Sequence, residues 1–318
     1  MKSWCRPFAV LLIILCIILA LILVAGGVRL REQPTISGGA DPWWSAPVEP
    51  EARRALQRYV RRTILPTLPD QTKSRFNRTL HSTINSPAGR RMRLKQLEIY
   101  LSQSSLAKTR AGSGRPGRGK HRATEIVKFG TAAGVTHWWP YLDIGGGDGS
   151  ITRAIAQAIG APPGEAFNAE PLTEPGDFPP ELVWVQEEAN GGLPLPDSKF
   201  ELVTALMSLH HVTPQILPHL LEEIARVMRP GGILIVREHN LDGCKDSSLS
   251  PVAARQFIDW IHILYDLIEG TSIDNLEQSY YQSPDEWDAA LAENFIPVFR
   301  RSGDPTTCSY YSVYRHRD

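Results

Sequence analysis

The sequence predicts an α/β protein with a doubly wound, mostly parallel sheet, preceded by a single transmembrane helix. From residue 123 onward, short apolar runs bounded by turn residues alternate with segments whose apolar residues recur at helical spacing. This alternation is typical of a parallel sheet covered by helices on both faces. A glycine-rich turn joins the first apolar run to the first helix of the series, and a long uncharged apolar stretch opens the chain.

Composition is that of a folded protein. Apolar residues make up 42% of the 318 residues and charged residues 21%, so most of the chain can bury a core. Lysine plus arginine and aspartate plus glutamate both number 34, so the net charge indicates no class of partner. Four cysteines are too few for a disulfide scaffold, and we expect Cys244 and Cys308 to be reduced thiols, with one bridge between them as the alternative. Because no Cys/His cluster has zinc spacing, we expect no metal.

Three regions follow from these patterns. Residues 1–31 are predicted to form an N-terminal tail and transmembrane anchor. Residues 32–122 are predicted to form a stem, basic amphipathic helices and a flexible basic linker. Residues 123–318 are predicted to form the α/β domain.

The predicted anchor covers residues 7–28, which contain no charge and are long enough to cross a hydrocarbon core of about 30 Å. A cleaved signal peptide is the alternative, although its apolar core is normally shorter, at about 7–15 residues. Arg29 and Arg31 make the following flank the more basic one, which favours a cytosolic C-terminal part. The alternative is the lumen of the secretory pathway, where Asn77 in "NRT" would accept a glycan.

The region between anchor and α/β domain is basic. Residues 32–50 are rich in proline and glycine and indicate a stem, whereas 51–65 and 90–103 are candidates for amphipathic helices, the second with Met92 among its apolar positions. Residues 108–122, "KTRAGSGRPGRGKHR", carry only positive charge on a flexible background. They predict either an arm that contacts the phosphates of RNA or anionic lipid, or a solvated loop.

The elements of the predicted α/β domain follow one another in regular order. The strands are predicted at 138–144, 165–171, 182–190, within 193–212 and 216–239, and at 306–317; the helices at 150–160, within 216–239, at 251–270 and at 280–295. Ser150 is expected to cap the first helix. Ser283, followed by Glu286 three residues later, predicts a capping box on the last one.

The turn between the first strand and helix reads "DIGGGDGS" and is the most informative stretch. Its spaced glycines are Gly145, Gly147 and Gly149, with Asp143 ahead of them and Asp148 among them. The spacing differs from the dinucleotide pattern G-x-G-x-x-G, whose last glycine is missing. It resembles the acidic-x-G-x-G-x-G signature of class I methyltransferases that use S-adenosylmethionine. The later segment "LPLPDSKFELVTALMSLHHV" is also similar to that family.

The resemblance implies a seven-stranded Rossmann-like sheet and S-adenosylmethionine as cofactor. The cofactor-binding residues that it implies are Asp143, Gly145, Gly147, Asp148, Gly149 and Glu170, with Glu188 and Asn190 as adenine contacts. Glu170 lies 21 residues after Gly149, where the family places the carboxylate that accepts hydrogen bonds from the ribose hydroxyls. Glu187 is an alternative adenine contact.

Catalytic candidates stand at the ends of the fourth and fifth predicted strands. They are His210 and His211 in "LHH", and Glu238 and His239 in "REHN". A histidine there can act as a general base, or it can pack against the cofactor and serve only the structure. The four residues are therefore candidates for handling the acceptor's proton.

The expected function is a membrane-anchored S-adenosylmethionine-dependent methyltransferase. Its acceptor is a small molecule, a lipid or a macromolecule. Two alternatives stay open: a catalytically silent cofactor-binding scaffold tethered to a membrane, and an RNA-directed methyltransferase that uses the basic arm at 108–122.

Overall fold

The computed structural model describes residues 43–106, 117–171, 174–240, 249–276, 278–303 and 307–318. Within these ranges, no helix combines the length and the apolar character that crossing a membrane requires. The predicted anchor at 7–28 and most of the basic arm at 108–122 lie outside the described residues. Residues from Trp43 onward form one compact unit.

Seven strands of the described residues form one sheet, in the order β3-β2-β1-β4-β5-β7-β6. They are β1 (Tyr141–Ile144), β2 (Ala166–Glu170), β3 (Val183–Gln186), β4 (Phe200–Leu206), β5 (Met228–His239), β6 (Phe295–Ser302) and β7 (Ser309–His316). The first five pair in parallel, and β7 is antiparallel to both of its neighbours. The predicted seven-stranded, mostly parallel sheet is confirmed.

Helices cover both faces of the sheet, as the alternating pattern predicts. The described helices are α1 (Pro50–Thr63), α2 (Asp70–Asn85), α3 (Arg90–Leu101), α4 (Arg118–Ala133), α5 (Ser150–Ile159), α6 (Leu217–Val227), α7 (Pro251–Glu269) and α8 (Pro284–Leu291). Side chains of α4 and α5 share one core with the sheet, and side chains of α6 and α8 share another. The strand order reverses at β1, so β1, β2 and β4 end around one crevice.

A third core lies among helices rather than against the sheet, and we call it the helical layer. It joins α1, α2 and α3 to α7, and it includes Trp44 and Val48 from the predicted stem. The predicted inward residues of α7 are buried as expected: Phe257, Trp260, Ile261, Leu264 and Leu267. The amphipathic N-terminal helices therefore bury their apolar faces on the inserted helix of the α/β unit.

Arg90 holds segments of the helical layer together by hydrogen bonds. Its side chain is 1% exposed, and its guanidinium donates hydrogen bonds to the carbonyl oxygens of Thr83 (2.9 Å), Trp44 (2.8 Å) and Ala46 (2.6 Å). The same guanidinium lies over the ring of Trp260, 5.6 Å from its centroid. A buried charge is tolerated here because backbone carbonyls and an aromatic face replace its water.

Several local expectations differ from the structure. Met92, predicted to be an apolar contact of α3, is 77% exposed. Helix α4 begins at Arg118, inside the segment predicted to be flexible, because Ala123, Ile126 and Phe129 bury its inner face. Gly149, not Ser150, is the N-cap of α5. Cys308, expected to be a reduced thiol, is disulfide-bonded.

The sequence patterns did not locate α2 or β6. Helix α2 buries Thr72 and Thr83 beside its few apolar residues, so its helical period is weak in the sequence. Strand β6 is an edge strand that is mostly exposed and contains Pro297, so it lacks the alternation that marks a half-buried strand. Strand β6 is defined by its antiparallel pairing with β7, whose residues are mostly buried.

Candidate functional site

The glycine turn follows β1 and leads into α5, at the carboxyl edge of the sheet. Gly145, Gly147 and Gly149 have φ angles of +69°, +62° and +75°, a region that side chains disfavour. A Cβ atom at Gly145 would overlap the side chain of Ser208, and one at Gly149 would lie 2.7 Å from the ring of Phe178. Two of the three glycines are thus required by close packing within the protein.

Gly147 differs from its neighbours in the turn. It is exposed, and apart from Gly147 itself and its two chain neighbours no atom of the described residues lies within 4 Å of the place where its Cβ would stand. Its backbone N–H donates a hydrogen bond to Oε1 of Glu170 at the end of β2. The turn therefore leaves its bare backbone open to a ligand at this point, next to a carboxylate.

Asp143 is buried beneath the turn rather than lying at its surface. Its Oδ1 accepts a hydrogen bond from Thr204 Oγ1 (2.6 Å), and its Oδ2 accepts one from Thr152 Oγ1 (2.8 Å). Burial raises the pKa of Asp143 to about 6. Asn168 donates to the carbonyl oxygen of Gly147 (3.2 Å), so β1, β2 and α5 together hold the turn.

Two carboxylates stand at the ends of neighbouring strands beside the turn. Glu170 is 7% exposed, and burial together with the charge of Asp143 raises its pKa to about 7, against the Gly147 hydrogen bond. Glu187 follows β3, and its pKa is also raised to about 7 by burial and by the charge of Glu170. At this edge of the sheet the two carboxylates are poorly solvated when they are ionised. The edge therefore suits a ligand that brings positive charge and hydroxyl donors.

The other predicted cofactor residues have different surroundings. Asp148 Oδ1 accepts a hydrogen bond from the Ser150 backbone N–H (3.0 Å). Glu188 and Asn190 are exposed in the turn after β3, where Asn190 Oδ1 accepts from the Gly192 N–H (2.9 Å). Glu187, the alternative adenine contact, is the one whose pKa the charge of Glu170 helps to raise. The assignment of individual cofactor contacts stays a prediction.

The four catalytic candidates lie together at the ends of β4 and β5. His210 and His211 occupy a short 3-10 turn after β4, and Glu238 and His239 end β5. Glu238 accepts hydrogen bonds from His210 Nδ1 (2.5 Å) and from the Leu209 N–H (3.1 Å). The sequence pattern thus placed these residues at one edge, although their roles stay predictions.

The helical layer adds residues that sequence reasoning missed. His262 of α7 lies 5.0 Å from His210 and 5.2 Å from His239, centroid to centroid, and Tyr281 lies 5.3 Å from His210. We call His210, His211, His239 and His262 the histidine cluster. The helical period of α7 predicts a buried face, but nothing in the sequence indicates that this face meets β5.

Burial keeps the histidine cluster neutral. It holds the pKa of His210 and His262 well below the usual value, and neighbouring imidazoles act in the same direction. The pKa of His239 is lowered to about 3, first by burial. Burial also raises the pKa of Glu238 to about 7.

The histidine cluster and the glycine turn are adjacent. Ser208, two residues before His210, donates a hydrogen bond to the carbonyl oxygen of Ile144 (2.8 Å), just before the turn. Met207 has a φ of +68°, and its N–H donates to the Arg237 carbonyl oxygen (2.7 Å). Non-glycine residues at positive φ are strained, and such strain is concentrated at functional sites.

Comparison with known proteins identifies the segment that carries this site. Residues 142–236 match the family described as a methyltransferase domain, from within β1 to within β5. The predicted methyltransferase, with S-adenosylmethionine as its cofactor, is confirmed for the domain. The glycine turn and the end of β2 lie inside the match.

Curated relatives match over part of their length. The "Ubiquinone/menaquinone biosynthesis C-methyltransferase UbiE" of Burkholderia multivorans is 31% identical over 131 residues, which are 38% of this chain and 51% of that protein. Its counterpart in Burkholderia thailandensis is 32% identical over the same shares. The chain thus spans about half the length of the curated relatives that it matches.

Solved structures of methyltransferases are also similar. A SAM dependent methyltransferase from Aquifex aeolicus has a TM-score of 0.44 at 14% identity, covering 71% of this chain and 98% of that one. A 1,6-didemethyltoxoflavin-N1-methyltransferase from Burkholderia thailandensis has a TM-score of 0.42 at 16% identity, covering 63% and 78%. At these TM-scores the likeness adds nothing to the assignment.

Proposed function

We propose that the whole protein is a membrane-anchored methyltransferase that uses S-adenosylmethionine and receives its acceptor beside the histidine cluster. One observation carries the proposal: the open backbone at Gly147 lies against the carboxylate of Glu170, inside the segment that matches the methyltransferase domain. The cofactor supplies a methyl group that its sulfonium already activates, so the protein's task is to hold and align.

The residues of the turn fit this cofactor. Glu170 can accept hydrogen bonds from two ribose hydroxyls, since a carboxylate offers several lone pairs. Gly147 admits the ligand where any side chain would stand in its way. The negative charge of Glu170 and Glu187 suits a molecule that carries an ammonium and a sulfonium and has no phosphate.

The acceptor side is formed by the histidine cluster with Tyr281. In this proposal the histidine cluster and Tyr281 line the place where the acceptor's nucleophilic atom is held, and α7 shields that place from water. The relatives named for ubiquinone and menaquinone biosynthesis support a small or lipid-like acceptor, so quinone precursors are the first compounds to try.

Membrane attachment through residues 7–28, with the catalytic part in the cytosol, is part of the proposal. Exposed arginines on α1 support contact with an anionic surface: Arg54, Arg58 and Arg61 line one shallow pocket there. Alkaline extraction of membranes carrying the full chain tests the anchor. A glycosidase-sensitive mass shift that disappears in Asn77→Gln would place the domain in the lumen instead.

Cofactor binding is tested by calorimetry with a matched pair of variants. Gly147 and Gly160 both have positive φ (+62° and +69°), and at both of them a Cβ atom would have no atom of the described residues beyond its chain neighbours within 4 Å. Alanine at either place therefore costs about 1–2 kcal/mol of backbone strain. Gly147→Ala is expected to weaken S-adenosylmethionine binding at least ten-fold, and Gly160→Ala is expected to bind like the wild type. Equal affinities, or uptake of NAD or ATP instead, would refute the site.

Transfer itself is tested with tritiated S-adenosylmethionine. Label is expected in an organic extract supplied with quinone precursors or membrane lipids. Binding without transfer to any acceptor class would favour the silent scaffold. Label in RNA that disappears when residues 108–122 are deleted, with a steep salt dependence, would favour the RNA-directed enzyme.

A further inference from the structure

The histidine cluster has a geometry that the proposed methyl transfer does not require. Its members come from distant parts of the chain: the turn after β4, the end of β5 and the middle of α7. The ring centroids of His210 and His211 are 4.3 Å apart, and those of His211 and His262 are 5.5 Å apart. One nitrogen from each of His210, His211 and His262 lies within 4.8 Å of the other two.

Hydrogen bonds decide which nitrogen of His210 and His239 is bare. His210 Nδ1 faces Glu238 Oε2 at 2.5 Å, and His239 Nδ1 faces the carbonyl oxygen of Thr307 at 2.8 Å. A carbonyl oxygen and an ionised carboxylate can only accept, so each requires a hydrogen on Nδ1, and in the neutral ring Nε2 then keeps its lone pair. His210 Nε2 is buried and has no hydrogen-bond partner among the described residues.

His262 can expose a bare nitrogen in the same way. Its Nδ1 lies 3.2 Å from Ser279 Oγ and 3.3 Å from the hydroxyl of Tyr281, and either oxygen can accept a hydrogen bond. Its Nε2 then carries a lone pair, and it lies 3.1 Å from His239 Nε2. Two bare nitrogens at this separation repel each other unless a proton or a cation lies between them.

This is the arrangement that surrounds bound metal ions. A ligating histidine donates its other ring N–H to a carboxylate, a carbonyl or a similar acceptor, which fixes the ring and its tautomer. Ligand nitrogens at about 2.0–2.1 Å from a tetrahedral ion are about 3.4 Å apart. The Nε2 atoms of His239 and His262 lie 3.1 Å apart, and one nitrogen from each of His210, His211 and His262 lies within 4.8 Å of the others, so small side-chain rotations complete the shell.

We propose that His210, His211 and His262, with His239 Nε2 beside them, bind a divalent transition-metal ion of the zinc type. Imidazole nitrogens suit Zn²⁺, Cu²⁺, Fe²⁺ and Ni²⁺, whereas Mg²⁺ and Ca²⁺ take oxygen ligands. The site satisfies the unpartnered Nε2 of His210, which otherwise lies buried without a hydrogen bond among the described residues. The sequence expectation of no metal was based on spacing, which cannot detect ligands that meet only after folding.

The test uses the untagged full chain, stripped with a chelator and dialysed against Zn²⁺. Metal analysis is expected to find about one zinc per chain in the wild type and in the control His137→Gln, which alters an exposed histidine away from the cluster. His262→Gln is expected to weaken zinc binding about 100-fold or more, and Glu238→Gln about 10–100-fold through its effect on His210. If His262→Gln fails to fold by circular dichroism, His211→Gln, which alters the exposed ligand, takes its place.

The outcomes separate this inference from the proposed function. Co²⁺ should give the visible absorption of a tetrahedral nitrogen site in the wild type and lose it in the ligand variants. Zinc well below one per chain in the wild type, or equal zinc affinity in wild type and ligand variant, overturns the inference. Calorimetry of the metal-free protein with S-adenosylmethionine measures cofactor binding at the glycine turn independently of the metal. Either proposal can therefore fail alone.

Discussion

Replacing Glu170 by glutamine should stabilise the ligand-free protein at pH 8 and lower its affinity for the cofactor. The substitution keeps the shape of the side chain and an oxygen for the Gly147 N–H, but it removes the charge. The carboxyl of Glu170 has its pKa raised from 4.5 to about 7, chiefly by burial. The unfolded chain therefore releases this proton near pH 4.5, whereas the folded protein keeps it to about pH 7.

The sign follows from this difference. Between about pH 4.5 and 7 the folded state holds more protons than the unfolded state, so stability falls as the pH rises and is lowest above pH 7. The rise in the pKa corresponds to about 3 kcal/mol of unfolding free energy, and Glu170 is too buried for solvent to screen much of it. Glu170→Gln lacks this penalty, so its ligand-free form should gain up to that amount at pH 8 and little at pH 4.5.

Cofactor binding should be weakened both by a lower pH and by the Glu170→Gln substitution, although each of them stabilises the ligand-free protein. Binding requires the ionised carboxylate, so wild-type affinity should fall about ten-fold between pH 8 and pH 6. A charged hydrogen-bond acceptor contributes about 1.5–3 kcal/mol, so the glutamine variant should bind about 10–100-fold more weakly at pH 8 with a flatter pH profile.

The assay is urea unfolding without ligand at several pH values, with calorimetry on the same samples. Glu222→Gln, which changes an exposed carboxylate on α6, is the control and should leave both readouts unchanged. A glutamine variant that is less stable than the wild type at pH 8, or that binds the cofactor equally well, would show that Glu170 is a structural carboxylate and not a ligand of the cofactor.

Three further changes test the packing around the site. Gly145→Ala forces a Cβ into the side chain of Ser208 at positive φ, so urea unfolding should show a larger loss of stability than in Gly147→Ala, where nothing is in the way; equal losses would contradict the close packing. Arg90→Met should cost at least about 3 kcal/mol in the same assay, since it leaves buried carbonyls unpaired; a loss below about 1 kcal/mol would mean that water replaces the guanidinium. Ser283→Ala removes the cap of α8 and should cost about 1 kcal/mol by thermal unfolding, and an unchanged midpoint would show that tertiary packing alone holds this helix.

The glycine turn is a part of the site that the sequence pattern predicts correctly. Glycines at alternate positions after a buried strand predict a turn with positive φ, and three of them have it. Glu170 could be placed at a strand end because "EAFNAEP" predicts a strand that ends there, and parallel strands end at one edge of the sheet. The position of Asp143 was predicted as well, but only the structure shows that threonine hydroxyls occupy both of its oxygens.

Other elements show why a pattern fails. Helix α2 has few apolar residues and buries threonines, so its period is weak, and β6 is an exposed edge strand whose partner decides its pairing. The sequence predicts a stem at 32–50 and amphipathic helices at 51–65 and 90–103, but no partner for their apolar faces. Their apolar faces find a partner only when α7 lies across them. Pairing between distant segments is a property of the folded chain.

By itself the sequence determined the alternation of the first five strands with helices, the doubly wound sheet and the glycine turn, since these depend on local period and on backbone geometry that few residues tolerate. Tertiary structure alone decided the helical layer, the burial of Arg90 and the meeting of His262 with His210 and His239. Such contacts join residues far apart in the chain, as where the hydroxyls of Tyr59 and Tyr265 meet across 206 positions. Their energies depend on packing and on hydrogen bonds across elements, which no local pattern encodes.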